Sequence, residues 1–263
     1  MKQIEAVIFD WAGTTVDYGC MAPIYAMQAA FSQHDVTVSL DEIRKPMGML
    51  KIDHIKAVLA MDTIRNQFQK IHGRAHHLQD IEKIYHRFEE SIFSILHQHT
   101  TLIDGILSVQ VYLRQQNIKI GSTSGYTRAM LDIVARSAKE QGYAPDHMIS
   151  SDEVWRGRPY PYMIQQNMAA LEILDVNTVL KVGDTLIDIQ EGCHAGCWSV
   201  GVVMGSSLLG LGEAEVISID KSELNKKAKA ARYEMFAAGA DYVIDTMHEL
   251  PALISVINQR MAG

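Results

Sequence analysis

Short apolar runs alternate repeatedly with longer amphipathic segments along this chain, and this alternation limits the folds that it can adopt. The first run, IEAVIF at residues 4–9, is β-branched and stops at Asp10, which is typical of a buried strand. From residue 103 onward, predicted helices and strands alternate regularly. The later predicted strands are 118–123, 147–150, 178–182, 199–203 and 241–244. This order predicts an α/β fold, a doubly wound, Rossmann-like parallel sheet with helices on both faces.

The alternation is interrupted between residues 21 and 99. This stretch is rich in Ala, Met, Gln, Glu and His and contains no strand-like run, so it predicts a helical insertion after the first strand. Ser39 and Glu42 have the spacing of a capping box. A Pro-Met-Gly break at 46–48 ends that helix and places Lys51 near the start of the next one. We therefore expect an α/β core from residues 1–20 and 100–263, and a helical cap domain from 21–99.

Composition excludes several classes of protein. The 263 residues are 48% hydrophobic, enough for a full core, and 24 Lys+Arg against 31 Asp+Glu give a net charge of −7. A surface for nucleic acid or anionic membrane is not expected from this balance. Without an apolar run of membrane-spanning length or a signal-peptide pattern, the sequence favours a cytoplasmic protein. Its three cysteines are expected to be free thiols.

Polar side chains follow the predicted strands where each strand ends. These are Asp10, Ser124 with Gly125, Arg158 in a Gly-Arg-Pro turn, and Asp184. Ligands of doubly wound sheets bind at the carboxyl ends of the strands, so these groups are expected to meet in one crevice. Two carboxylates that meet require a cation, and Mg²⁺ is the expected cofactor. A hydroxyl and a guanidinium suit a phosphoryl group, which a carboxylate could attack directly. Taken singly, the same residues would be turn formers, helix caps or surface charges.

Together these segments resemble the four motifs of the haloacid dehalogenase superfamily. The resemblance implies that Asp10 is a nucleophile, that Ser124 and Arg158 hold a phosphoryl group, and that Asp184 helps to bind Mg²⁺. The segments that carry it are Asp10–Thr15, Ser124–Gly125, Gly157–Pro159 and Val182–Asp188.

One position departs from the phosphatases of that superfamily. They carry a second Asp two residues after the nucleophile, which protonates the leaving oxygen, and this chain has Ala12 there. Either the leaving group needs no acid, as in halide displacement, or another device stabilises its charge. Lys51 offers such a device, because an iminium ion formed with an aldehyde would accept the electrons of a breaking carbon–phosphorus bond. Its pKa would have to fall, and an apolar cap containing Met47 together with the positive end of a helix would lower it.

The stretch Met47–His54 resembles the phosphonatase branch of the superfamily, which hydrolyses the carbon–phosphorus bond of phosphonoacetaldehyde to acetaldehyde and phosphate. The resemblance implies that Lys51 forms a Schiff base, that Asp10 becomes an aspartyl phosphate, and that the Ala12 carbonyl joins Asp10 and Asp184 as metal ligands. It also implies a role in 2-aminoethylphosphonate degradation, a small-molecule phosphonate substrate and a homodimer. Further segments that match are Thr15–Cys20, Gly125–Arg128 and Gly205–Ser207.

The remaining predicted site residues have secondary roles. His54 lies three residues after Lys51 on the same helical face and could move protons. Met47 resembles a family methionine that faces the reacting carbon. Asp188 is expected to support the metal ligands from one helical turn beyond Asp184. Gly48, Gly125, Tyr126 and Cys20 complete the predicted substrate site, although packing is an equal explanation for Tyr126 and Cys20.

Two alternative functions stay open at this point. The chain could be a Mg²⁺-dependent phosphatase or sugar-phosphate mutase of the same superfamily, against which Ala12 counts, whereas a dehalogenase would need no Mg²⁺. It could also be a non-catalytic phospholigand-binding or regulatory protein, against which the intact Asp10 counts. A rate measurement distinguishes these classes.

Overall fold

The sheet of the computed structural model, which describes residues 2–262, is entirely parallel. Six strands lie in the order β3-β2-β1-β4-β5-β6, so the first strand occupies the middle. Each predicted strand is present within two residues of its expected bounds, and the predicted α/β fold class is confirmed. The strands are β1 (Ala6–Phe9), β2 (Lys119–Ser124), β3 (His147–Ser150), β4 (Val179–Gly183), β5 (Trp198–Val202) and β6 (Tyr242–Ile244).

Six helices lie between β1 and β2, and we call the first five of them the cap helices. They are α1 (Met21–Ser32), α2 (Leu40–Arg44), α3 (Lys51–Ala60), α4 (Asp62–His72) and α5 (Leu78–Ile95). The helices after them are α6 (Ile106–Gln115), α7 (Arg128–Glu140), α8 (Tyr162–Ala170), α9 (Leu186–Ala195), α10 (Glu213–Ser218), α11 (Lys221–Ala237) and α12 (Leu250–Ala262). Short 3-10 turns occupy Leu96–Gln98, Val176–Thr178 and Met247–Glu249.

Strand β1 shows why the sheet forms where it does. All four of its side chains are buried, since helices cover both faces of a parallel sheet. Val7 and Phe9 point into the larger hydrophobic cluster, whereas Ala6 and Ile8 point into a smaller cluster on the other face. The alternation along the strand thus fixes which face each neighbouring residue joins.

The cap helices follow from local sequence signals. The predicted capping box is present at the start of α2, where the Ser39 side chain accepts from the Glu42 backbone N–H and Glu42 in turn accepts from Ser39. Lys51 is the first residue of α3, as the Pro-Met-Gly break predicts. Helix α5 is amphipathic, burying Ile84, Phe88 and neighbouring apolar residues and packing against α1.

The cap helices leave and rejoin the core through two paired segments, which we call the linkers (residues 15–20 and 96–103). The Ile103 N–H donates to the Thr15 carbonyl at 2.9 Å, and the Asp17 N–H donates to the Thr101 carbonyl at 3.1 Å. The Asp17 carboxylate also lies 3.1 Å from His99 Nδ1 and accepts from the first N–H groups of α1. The chain therefore enters and leaves the cap helices at one place.

Two helices differ from the sequence-based expectation. The sequence pattern predicts a helix over 160–174, whereas α8 begins only after Pro161 and its regular turns end at Ala170. Helix α10 is an additional element that the pattern does not predict. Within residues 2–262, no helix has the combined length and apolar character needed to cross a membrane.

Candidate active site

A cavity lies at the carboxyl ends of the strands, beneath the cap helices. It brings together Asp10 of the core and Lys51 of α3, which are 41 positions apart in the sequence. Most of the predicted site residues line it, and Pro23 and Thr185 are additions that sequence reasoning missed. The full lining is Asp10, Ala12, Cys20, Pro23, Met47, Gly48, Lys51, Ser124, Gly125, Tyr126, Arg158 and Thr185.

Asp10 follows the last residue of β1 and is held by the guanidinium of Arg158, whose Nη2 lies 2.7 Å from Asp10 Oδ1. Both side chains are almost completely buried. Burial raises the pKa of Asp10 and outweighs the attraction of Arg158, and the nearby Asp188 carboxylate adds to the rise. Further positive charge beside this carboxylate would favour its ionised form.

Asp10, Asp184 and Asp188 form an acidic cluster whose ligand atoms all lie within 4.8 Å of one another. Asp184 has no cationic partner among residues 2–262; its oxygens accept from the Ser207 N–H at 2.8 Å and from the Thr14 hydroxyl at 3.3 Å. Burial and the charges of the other two carboxylates raise the pKa of Asp184 well above its ordinary value. The cluster therefore has the charge and donor set that a divalent cation neutralises.

The three acids of the cluster are not equivalent. Asp188 Oδ1 already lies 3.0 Å from Arg158 and 2.9 Å from Lys181, and its other oxygen accepts from Thr185 at 2.6 Å. Asp10 and Asp184 are thus the acids that could bind a cation directly, with Asp188 behind them. The Ala12 carbonyl accepts no hydrogen bond within the described chain, which leaves it available as a third oxygen.

Gly13 allows the Ala12 loop to approach Asp184. Its φ is +86°, and a Cβ at this position would lie 2.5 Å from Asp184 Oδ2. A side chain would therefore collide with the acidic cluster. This close backbone approach explains the glycine at position 13.

Lys51 is buried at the first turn of α3 without an ion pair or hydrogen bond to its Nζ from residues 2–262. The Nζ lies 5.2 Å from the centre of the Tyr126 ring. Burial lowers the pKa of Lys51, and the charge of Arg158 lowers it further, while the charge of Asp10 opposes the shift. A lysine in this state has an increased fraction of the neutral, nucleophilic amine.

The segment that precedes Lys51 touches the core directly. Gly48 has φ +92°, and a Cβ there would lie 2.6 Å from the Thr185 hydroxyl oxygen. A Cβ at Gly125 would lie 2.8 Å from the Gly48 carbonyl oxygen and 2.9 Å from that of Met49. The predicted substrate-site glycines thus face each other, and their missing side chains let the segment close over the cavity.

His54 is buried but does not line the cavity. Its Nε2 lies 2.8 Å from the Ile43 carbonyl oxygen, so Nε2 carries the proton and donates to that carbonyl. Burial, aided by the charge of Lys51, lowers the pKa of His54 to about 3. The imidazole is therefore neutral near pH 7.

The other predicted substrate-site residues line the cavity as neutral groups. The Ser124 hydroxyl oxygen accepts from the Tyr126 N–H at 3.0 Å, which fixes the turn after β2. Burial raises the pKa of Tyr126 and of Cys20 well above their ordinary values, so the phenol and the thiol stay protonated. Met47 is buried and adds an apolar wall.

Sequence reasoning missed a polar cluster behind Arg158 that consists of Thr123, Lys181 and Glu191. All three side chains are completely buried. The available signals were a lysine in the otherwise apolar strand VLKVG and a glutamate on the inner face of α9. In the sequence alone, each of these residues could have a purely structural role. Only the folded sheet places them together.

Comparison with known proteins agrees with this geometry. Residues 4–196 match the family model of haloacid dehalogenase-like hydrolases. A phosphonoacetaldehyde hydrolase of Bacillus cytotoxicus is 49% identical over 98% of both chains, and one of Bacillus cereus is 47% identical over the same shares. The crystal structure of a phosphonoacetaldehyde hydrolase-like protein from Oleispira antarctica superposes with a TM-score of 0.96 at 38% identity, covering 98% of this chain and 94% of that one.

More distant structures share the fold alone. A β-phosphoglucomutase of Clostridium difficile superposes with a TM-score of 0.71 at 16% identity, covering 99% of this chain and 100% of that one. The class defined by fold and site is that of the haloacid dehalogenase-like hydrolases, which are enzymes. Within that class, the chain belongs to the family of phosphonoacetaldehyde hydrolases.

Proposed function

We propose that this enzyme hydrolyses the carbon–phosphorus bond of phosphonoacetaldehyde, giving acetaldehyde and phosphate. The observation that carries the proposal is the presence of Lys51 in the same cavity as Asp10, buried and without a carboxylate partner in the described chain. A phosphate ester gives such an amine no role, whereas an aldehyde does. The names of the relatives at 47–49% identity support the same substrate.

On the core side of the cavity, Asp10 is the proposed nucleophile. Its Oδ1 is held by Arg158 at the end of β1, and an oxygen of the carboxylate attacks phosphorus to form an aspartyl phosphate. Arg158 and the Ser124–Gly125 turn hold the phosphonyl oxygens, and Tyr126 and Cys20 enclose the substrate. Stabilisation of the developing charge by fixed donors is the main catalytic contribution of such a site.

On the cap side, Lys51 supplies the electron sink. The neutral amine adds to the aldehyde, and the adduct takes up one proton and loses water to form an iminium ion. When Asp10 attacks phosphorus, the carbon–phosphorus bond breaks and its electron pair moves into the iminium, which becomes an enamine. Protonation at carbon and addition of water then release acetaldehyde and Lys51, and a second water hydrolyses the aspartyl phosphate.

This route accounts for Ala12, since the leaving carbon needs no acid beside Asp10 at the moment of cleavage. We propose that the neutral His54 assists proton movement during imine formation from behind Lys51, and that Met47 packs against the reacting carbon.

We propose Mg²⁺ as the cofactor. Asp10, Asp184 and the Ala12 carbonyl would hold it, with Asp188 supporting them, and the ion would neutralise the phosphonyl oxygens when bound. The raised pKa values of Asp10 and Asp184 and the available Ala12 carbonyl support this assignment.

We also propose a domain organisation, a cellular location and an oligomeric state for this enzyme. Residues 21–99 would form a cap domain over a core of residues 1–20 and 100–263. The enzyme would act in the cytoplasm on a product of 2-aminoethylphosphonate degradation, as a homodimer.

The first experiment is release of acetaldehyde from phosphonoacetaldehyde, measured with a coupled dehydrogenase, with and without Mg²⁺. We expect metal-dependent turnover. Hydrolysis of simple phosphate esters without acetaldehyde would favour a phosphatase or mutase, and binding of phosphate without any turnover would favour a regulatory protein.

The variant Lys51→Arg tests the imine. Arginine keeps the positive charge but does not form an imine, so we expect loss of acetaldehyde release by at least a thousandfold. Borohydride with acetaldehyde should add a two-carbon label to Lys51 of the natural enzyme, detected by mass spectrometry, and none to the variant. Lys56→Arg on the exposed side of α3 is the matched control and should retain both properties. Full activity of Lys51→Arg would overturn the Schiff-base mechanism.

A further inference from the structure

We propose that Thr123, together with Lys181 and Glu191, positions Arg158 for binding the phosphonyl group. The inference rests on the proposed function only in assigning that ligand to Arg158. Thr123 precedes the predicted Ser124–Gly125 turn and does not line the cavity, so its role would be exercised through the guanidinium.

The register of the sheet places these residues together. Ile8 of β1 pairs with Gly121 of β2 and with Lys181 of β4, so the three residues share one face. Thr123 lies two residues beyond Gly121 and points to that face as well. Lys181 therefore reaches across β1 to Thr123 just below the end of the strand that carries Asp10.

The Thr123 hydroxyl uses its full hydrogen-bonding capacity. It donates to Glu191 Oε2 at 3.0 Å and accepts from Lys181 Nζ at 2.8 Å and from Arg158 Nη2 at 2.6 Å. A hydroxyl has one proton and two lone pairs, and each has a partner here.

Arg158 is held on the side opposite to the cavity. Its Nε donates to Glu191 Oε2 at 3.0 Å, and its Nη2 also donates to the Thr123 carbonyl at 2.7 Å. These bonds fix the plane of the guanidinium, which leaves Nη2 facing Asp10 at 2.7 Å and Nη1 facing Asp188 at 3.0 Å. A planar fork binds phosphoryl oxygens well only when its orientation is fixed.

Charge adds a second reason for this arrangement. The two cations, Arg158 and Lys181, face the two carboxylates of Asp188 and Glu191, and the Lys181 Nζ lies 3.3 Å from Glu191 Oε2. The four charges balance inside the buried cluster. Asp10, 2.7 Å from Arg158, adds a further negative charge beside the cluster.

The test compares Thr123→Val, which removes the hydroxyl at nearly constant volume, with Thr123→Ser, which keeps it. For the valine variant we expect the KM for phosphonoacetaldehyde and the dissociation constant of inorganic phosphate, measured calorimetrically with Mg²⁺, to rise about tenfold or more. The serine variant should stay within about threefold of the natural enzyme for both constants. Borohydride trapping of acetaldehyde at Lys51 should be unchanged in both, because that reaction does not use Arg158.

Unchanged phosphate affinity in Thr123→Val would overturn the inference. Joint loss of phosphate binding and of imine trapping would also overturn it, since it would show general damage to the fold. If the valine variant does not fold, Glu191→Gln is expected to show the same weakening of phosphate binding, and wild-type affinity in that variant counts against the role. Phosphate binding requires no turnover, so the result is independent of whether phosphonoacetaldehyde is the substrate.

Discussion

Burial lowers the pKa of two residues of α3, Lys51 and His54, but the chemical result differs between them. Lys51 and His54 lie one turn apart, and both lose affinity for a proton because the charged form is poorly solvated. For Lys51 this increases the fraction of neutral amine in the cavity. For His54 it yields a neutral imidazole that donates to the Ile43 carbonyl, one turn away from Lys51.

The depressed pKa of His54 predicts how stability depends on pH. The folded value is about 3 and the ordinary value is 6.5, so between these limits the unfolded chain binds more protons than the folded chain. The contribution to stability is complete above pH 6.5 and is lost as the pH falls toward 3. From pH 7 to pH 5 the loss is about 2 kcal/mol.

Chemical denaturation of the natural enzyme and of His54→Gln measures this effect. Glutamine keeps a donor for the Ile43 carbonyl but does not titrate, so the free energies of unfolding of the two proteins should converge by about 2 kcal/mol between pH 7 and pH 5. Parallel pH dependences would show that His54 is not held neutral.

At the scale of elements, the site depends on contact between the cap segment before α3 and the start of α9. A side chain at Gly48 would press on Thr185, which caps α9 by accepting from the Asp188 N–H at 3.1 Å. The cap segment and the acidic cluster are thus joined through one threonine. We therefore expect a substitution at Gly48 to displace Thr185 and, through it, Asp188.

Gly48→Ala and Gly73→Ala separate this contact from backbone strain. Both glycines have positive φ, +92° and +68°, so each alanine costs about 1 kcal/mol of conformational strain, but nothing lies within 4 Å of a Cβ at Gly73. We expect kcat/KM to fall at least tenfold for Gly48→Ala and to stay within about twofold for Gly73→Ala, with the lower melting temperature in Gly48→Ala because Thr185 must also move. Equal kinetic effects of the two substitutions would contradict the contact.

Some residues of the candidate site are predictable from the sequence, and others are not. Asp10 and Asp184 were predictable because each follows a recognisable strand, and parallel strands end at one edge. Lys51 was predictable as a helix start, although its chemistry came from a family resemblance. Thr123 and Glu191 were not predictable, because their proximity depends on the register of β2 with β1 and on the inner face of α9, which no local pattern encodes.

For the whole molecule, the proposed homodimer gives a direct prediction. Light scattering after size-exclusion chromatography should give twice the 29.4 kDa mass of one chain. Exposed apolar side chains on the cap helices, such as Tyr25, provide surface for such contact. A mass of one chain at micromolar concentration would contradict the dimer and leave the site of each chain intact.

The paired linkers hold the two ends of the segment that contains the cap helices together. A segment whose two ends are held together is, in polymer terms, a closed loop, and the entropy of closing it grows only with the logarithm of its length. Doubling the number of residues between Asp17 and His99 would cost the sheet about 0.6 kcal/mol. The entropy of loop closure therefore changes little when the cap helices lengthen or shorten, and the same paired linkers could hold inserts of different length beside the sheet.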